Sequence, residues 1–292
     1  MLPIRVHCWG GLGSQLFAFV AANRMKSSFP KRQVQIMLHT GGATRRVREL
    51  PNLVDIQVFE IDDFSNASNS FRPKKLWVSR FQDRLTREIK LVSKRILLVF
   101  GFFKSFDTED EWGKISPWIV SVRGHYSQLQ LTFSDLELVY QLVLRASVDK
   151  PPAKIFYHKA NVHIRLGDLI SVKPEALDFI PKLIGELQEL DAGYPVSIYS
   201  DSNQDDVLKI MGSIPRDVRF QQEVSASHVI YDSIFSDTFI GSNSKITFWI
   251  AALRVHLELG SLTIVPSNIF HWLQDSLVSY NLDALGVREY RN

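Results

Sequence analysis

The order of segments between residues 161 and 265 constrains this 292-residue chain most. Short runs rich in apolar and β-branched residues occupy 161–166, 196–200, 238–240 and 262–265, with a briefer one at 219–220. Stretches of helical spacing lie between them, at 180–190, 205–211, 229–235 and 245–259. Strands that alternate with helices are joined by crossovers and lie parallel, so this half is predicted to be a parallel sheet with helices on both faces. The N-terminal half opens in the same way. Ile4–Trp9 reads as a strand, glycines follow at 10, 11 and 13, residues 15–25 read as a helix, and 34–38 as a second strand. Residues 49–64 read as short mixed structure and 118–123 as a strand. Residues 135–146 read as a helix, with Ser134 and Glu137 at capping-box spacing. Pro151-Pro152 is the clearest punctuation between the halves. At roughly 150 residues per domain the length fits two domains, 1–150 and 151–292.

A single cysteine, Cys8, excludes an internal disulfide and fits a reducing compartment. The opening residues show no basic segment followed by an apolar one, so no signal peptide is expected. The longest strongly apolar run, 96–103, is far short of the ~20 residues of a spanning helix. A cytosolic protein is the expectation. The net charge of +3 gives no reason to expect nucleic acid as a partner. Its distribution is uneven: residues 72–104 hold ten basic side chains against two acids, Asp83 and Glu88, interleaved with apolar residues. Such a segment can be a solvated helix face, a rim that attracts a phosphorylated ligand, or an amphipathic helix on an anionic membrane.

Three strand ends carry groups suited to chemistry. In Val162-His163-Ile164-Arg165-Leu166-Gly167-Asp168, alternation puts His163 and Arg165 on one face and Val162, Ile164 and Leu166 on the other. Ligands of open parallel sheets bind outside the carboxyl ends of the strands, and a guanidinium there forks onto a diphosphate. An Arg–Asp surface pair beside a core histidine fits the same residues. Ile198-Tyr199-Ser200 runs into Asp201, either an acceptor for a nucleoside or an ordinary turn and capping residue. Ile240-Gly241-Ser242-Asn243-Ser244 leads into a helix whose amino end favours anions, and Ser242 or Ser244 can also cap it. The turn at Gly10, Gly11 and Gly13 lacks the spacing of a dinucleotide fingerprint, which argues against an oxidoreductase. The chain shows neither the HExxH spacing of a zinc site nor an Asp-x-Asp triplet after a strand, so no metal is expected.

Six stretches together resemble the α-1,2-fucosyltransferase family of bacterial polysaccharide and eukaryotic blood-group enzymes. They are GGLGSQLFAFVAA (10–22), VRGHYSQ (122–128), VHIRLGD (162–168), IYSD (198–201), IGSNSKITFWIAAL (240–253) and IVPSNIFHW (264–272). They occur in the family's order along nearly the whole chain. The sequence departs from the family at Leu166, where a second arginine is usual, and at His125-Tyr126-Ser127-Gln128, a loose form of aromatic-Gln-Ser.

The resemblance implies an α/β, GT-B-like fold, with two Rossmann-like domains facing a cleft. The C-terminal domain would hold GDP-fucose and the N-terminal one a galactose-containing glycan acceptor. It implies transfer of L-fucose to a hydroxyl, O2 of a galactoside, with inversion and with neither metal nor cofactor. Arg165 and the helix start at Asn243, Ser244 and Thr247 are then expected to stabilise the leaving diphosphate. His163 is expected to orient Arg165 or the fucose, and Asp201 to read the nucleoside. Gly11 and Gly13 mark a close backbone approach to the donor. Asp168 is the expected base, with Glu175 and the glycine turn as other possibilities. Two other readings fit the same residues: an inverting transferase using another nucleotide sugar, and a non-catalytic nucleotide or glycan binder.

Overall fold

The computed structural model describes residues 2–41, 48–50, 56–63, 96, 100–105, 115–146, 157–167, 177–191, 193–212, 218–221 and 224–291. The chain divides into two compact units, Met1–Leu129 and Gln130–Asn292.

The first unit contains strands β1 (Ile4–Trp9), β2 (Val34–His39), β3 (Gln57–Ile61), β4 (Phe103–Ser105) and β5 (Ser121–Arg123), and helix α1 (Leu12–Ser28). The strands form one parallel sheet in the order β3-β2-β1-β5-β4. The mixed structure expected over 49–64 therefore contains a strand, β3. Helix α1 packs on β1 and β2 and is apolar nearly all round, as a helix buried on most sides must be. Ile4, Val6 and Cys8 of β1 and Val34, Ile36 and Leu38 of β2 form the buried rows. The alternate row is mixed: Arg5, His7 and Trp9 on β1, Gln35, Met37 and His39 on β2.

The second unit contains helix α2 (Phe133–Ala146), β6 (Tyr157–Ile164), α3 (Ile180–Gln188), β7 (Val196–Ser200), α4 (Gln204–Met211), β8 (Val218–Gln221), α5 (Ala226–Ile234), β9 (Ser236–Gly241), α6 (Lys245–His256), β10 (Leu262–Val265), α7 (Ser267–Ser276) and β11 (Val287–Glu289). Its parallel sheet has the order β11-β10-β9-β6-β7-β8. The alternation read from residues 161–265 thus becomes the expected doubly covered sheet. Val162, Ile164 and Leu166 form one core with Leu183, Ile198 and Val207. Each such fully buried aliphatic side chain stabilises by about 1.5–3 kcal/mol.

Two sequence expectations shift. Helix α2 packs on α5 and α6, so the unit boundary falls at 129/130 rather than at the proline pair. Its capping box is Thr132–Asp135, not Ser134–Glu137, because the helix begins at Phe133 and the cap must precede it. Asp135 Oδ2 accepts from the Thr132 amide at 2.8 Å and hydroxyl at 2.6 Å, and the Asp135 amide donates to Thr132 Oγ1 at 3.3 Å. Glu137 instead accepts from His256 Nε2 at 3.0 Å.

Candidate functional site

The strand order of the second unit reverses between β6 and β9. In such sheets the crevice outside the carboxyl ends at the reversal is where ligands bind. His163 pairs with Gly241 across the two strands, and the Ser242 amide donates to the His163 carbonyl at 2.9 Å. The Ser242 hydroxyl in turn accepts from the Arg165 amide at 2.9 Å. Arg165 is thereby fixed to β9 just where it leaves β6.

Asp201, at the end of β7, holds the same loop from the other side. Its Oδ1 accepts from the amides of Leu166 at 2.8 Å and Gly167 at 2.9 Å. Asp201 thus acts as a turn residue that fixes the loop leaving Arg165.

The start of α6 completes the group. Ser244, rather than Ser242, is the cap: its hydroxyl accepts from the Thr247 amide at 3.0 Å and donates to Thr247 Oγ1 at 3.2 Å. His163 Nδ1 lies 3.1 Å from Thr247 Oγ1 and 3.4 Å from Ser244 Oγ. Burial first, then the neighbouring Arg165 cation, lowers the His163 pKa to about 4, so its ring is neutral at pH 7. Thr247 leaves no room beside Gly241, where a Cβ would lie 2.2 Å from Thr247 Cγ2. Half-buried Arg165 and exposed Asp201 and Asn243 thus stand at the rim of a buried floor of His163, Ser242, Ser244 and Thr247. A guanidinium beside a positive helix end suits an anion.

Leu166 is fully buried in the core of the sheet. The departure from the family therefore falls on the side opposite Arg165, where an apolar residue packs well. Asp168 and Glu175 lie outside the described residues, as do 72–95 and 97–99 of the basic segment. Among the described residues no helix is long and apolar enough to cross a membrane, and no cluster of metal-ligating side chains occurs.

Gly11 and Gly13 are in the first unit. Gly11 caps α1 and Gly13 is already inside that helix. The first amide of α1, Leu12 N, donates to Glu49 Oε1 at 3.1 Å, so a carboxylate of the protein sits at this helix start. Gln15 ties the same two segments, its Oε1 accepting from the amides of Glu49 at 3.0 Å and Leu50 at 2.8 Å.

A second polar group in this unit was not singled out from sequence. His7 Nδ1 lies 2.8 Å from His39 Nε2, and His39 Nδ1 lies 2.8 Å from Asp63 Oδ2. Asp63 Oδ1 accepts from the Gly41 amide at 2.6 Å. The Trp9 ring stacks on His39 with centroids 4.2 Å apart. Tyr126, from the loose motif at 125–128, donates its hydroxyl to the His7 carbonyl at 2.8 Å. The period of two that puts His7 and Trp9 on one face was the available signal.

No family model matches the chain, and no curated protein matches it. Among solved structures the chain is similar to the fucosyltransferase NodZ from Bradyrhizobium, at 15% identity over 87% of this chain and 94% of that one, with a TM-score of 0.46. NodZ α-1,6-fucosyltransferase soaked with GDP-fucose gives 14% over 87% and 93%, with 0.45. The E. coli heptosyltransferase WaaC with ADP gives 10% over 99% and 93%, with 0.48.

Proposed function

We propose that the chain is an inverting glycosyltransferase that moves L-fucose from GDP-fucose to a sugar hydroxyl, O2 of a galactoside, without a metal. The observation that carries this reading is the convergence of Arg165, Asp201 and the start of α6 where the strand order reverses. The six family-like stretches supply the identity of the donor.

In the reaction the acceptor oxygen bonds to C1 of fucose while the C1–O bond to the β-phosphate breaks. The bonding pair leaves on GDP, and the acceptor proton goes to a base. Charge therefore builds on the diphosphate, where fixed donors act best because they need no reorganisation. Arg165 supplies the cation and the amino end of α6 the aligned dipoles. Neutral His163 adds no charge and holds the Ser244–Thr247 hydroxyls in place. The second unit is the donor-binding one on this reading and the first unit receives the glycan.

Mass spectrometry of lactose incubated with GDP-fucose, EDTA and the full chain tests this. A product heavier by one fucosyl group is expected. Transfer from a UDP- or ADP-sugar instead would replace the donor, and a need for added metal would remove the metal-free scheme.

A further inference from the structure

We infer that the first unit docks on an anionic lipid bilayer through the amino ends of β1, β5 and β4. Two observations carry this, an apolar surface built on adjacent strands and the sign of the charge beside it.

The surface follows from the register. β1, β5 and β4 are neighbours in the sheet, and Arg5, Ser121 and Phe103 stand at one level across them. Just before that level the Arg5 amide donates to the Val120 carbonyl at 3.0 Å, and the Val120 amide donates to the Phe102 carbonyl at 2.8 Å. The segments that enter the three strands therefore run side by side. They carry Leu2, Trp118 and Phe100, which are 70%, 68% and 65% exposed, with Phe102 and Ile96 exposed beside them. The backbone under these side chains is fixed. The Phe100 amide donates to the Ile96 carbonyl at 3.0 Å, and the Trp118 amide to Ser116 Oγ at 3.2 Å. Gly101 lies so close to Ser116 that a Cβ on it would meet Ser116 Cβ at 2.6 Å. Single exposed apolar side chains are ordinary, but several on adjoining segments mark a docking surface.

The charge decides what docks. Arg32 bridges two of these segments: Nε and Nη2 donate to the Leu2 carbonyl at 3.1 and 2.8 Å, and Nη1 donates to the Pro117 carbonyl at 3.0 Å. Neutral carbonyls leave its positive charge in place. In the sequence, nine Lys and Arg residues against Asp83 and Glu88 occupy 72–95, and this run ends immediately before Ile96. Cations next to aromatic and aliphatic side chains suit the negative headgroups of a bilayer and the interfacial zone that tryptophan prefers. A second copy of the chain would instead bring like charge against like on this face. Ligands of parallel sheets bind outside the carboxyl ends of the strands. Docking at the amino ends therefore turns Trp9, His39 and Arg123, which end β1, β2 and β5, away from the lipid.

Flotation of the full chain with vesicles of phosphatidylglycerol and phosphatidylcholine tests this, with pure phosphatidylcholine vesicles as the comparison. Binding is expected to the anionic vesicles only. It should fall at least about tenfold as ionic strength rises from about 0.1 M to about 1 M, because the Debye length shortens from about 10 Å to about 3 Å. The double variant Phe100→Ser with Trp118→Ser should bind at least about tenfold more weakly at low salt, since two apolar side chains no longer enter the interface. Its melting temperature should match the wild type's, as both side chains are exposed. Trp118→Phe keeps the apolar contact, so it should still float while losing part of the fluorescence quenching by brominated lipid. Absence of flotation, equal flotation with neutral vesicles, or wild-type binding by a folded double variant overturns the inference. So does sedimentation that shows a dimer which the same two substitutions dissociate, because the surface then covers a second copy.

Discussion

Asp201 Oδ2 fills the space in which a side chain at position 167 would begin: a Cβ on Gly167 would lie 2.3 Å from it. Gly167 also has φ +20°, a backbone conformation that side chains resist. The pair therefore locks the loop that starts at Arg165. Gly167→Ala should push Asp201 off the Leu166 and Gly167 amides. We expect a modest loss of about 1–3 kcal/mol in urea unfolding, from strain and two lost bonds to a carboxylate. GDP affinity should drop at least as much, because Arg165 is no longer held. Calorimetry of the variant against Asp201→Asn checks both.

His163 should make stability depend on pH in a defined window. Its pKa is about 6.5 in the unfolded chain and about 4 in the fold. Between these values the unfolded chain binds more protons, so stability falls as pH drops from about 6.5 to about 4. The full difference corresponds to roughly 3 kcal/mol. His7, lowered to about 4 as well, acts in the same direction. Urea midpoints at pH 7 and pH 4.5 should differ clearly in the wild type and less in His163→Asn.

Arg254 is a structural cation rather than a ligand group. It is buried in α6 and donates to the carbonyls of Ser233 (2.8 Å), Ile234 (3.0 Å) and Ser236 (2.6 Å) and to Thr263 Oγ1 (2.7 Å). Arg254→Met strands these carbonyls, and we expect a cost of roughly 3–5 kcal/mol. Arg254→Lys should recover only part, since one ammonium does not span the same acceptors. Urea titration reads both.

Asp232 joins Lys159, Asn161 and Tyr199 on the α5 side of the second sheet. Burial pushes its pKa up, but these bonds and the Lys159 charge hold it below the usual value. Its contribution is present above the unfolded carboxylate value of about 4 and disappears as pH falls through the lower folded one. Asp232→Asn should therefore destabilise the protein at pH 7 by about 2–4 kcal/mol. Its stability should also vary less than the wild type's below pH 4, as followed by circular dichroism.

Much of the second unit was legible because its information is local. Alternation placed His163 opposite Val162 and Leu166, and the strand-to-helix turn at 241–245 narrowed the cap to Ser242 or Ser244, of which Ser244 is the one used. The first unit was less legible because its contacts are long-range. His7, His39 and Asp63 are far apart in sequence and meet only through the parallel register of β1, β2 and β3. No periodicity states that register. The cap of α2 was misplaced by two residues because Ser134-x-x-Glu137 and Thr132-x-x-Asp135 both have the right spacing, and the start of the helix at Phe133 decides between them.

The central claim is that Arg165 and the start of α6 hold a guanosine diphosphate without a metal. Isothermal titration of GDP into the full chain in EDTA tests it directly, with Arg165→Ala and UDP as comparisons. The account predicts saturable GDP binding by the wild type, little UDP binding, and a loss of affinity or turnover on the order of 10²–10³-fold in Arg165→Ala with its fold intact. Equal GDP binding by wild type and Arg165→Ala, or binding that appears only with added metal, would contradict it.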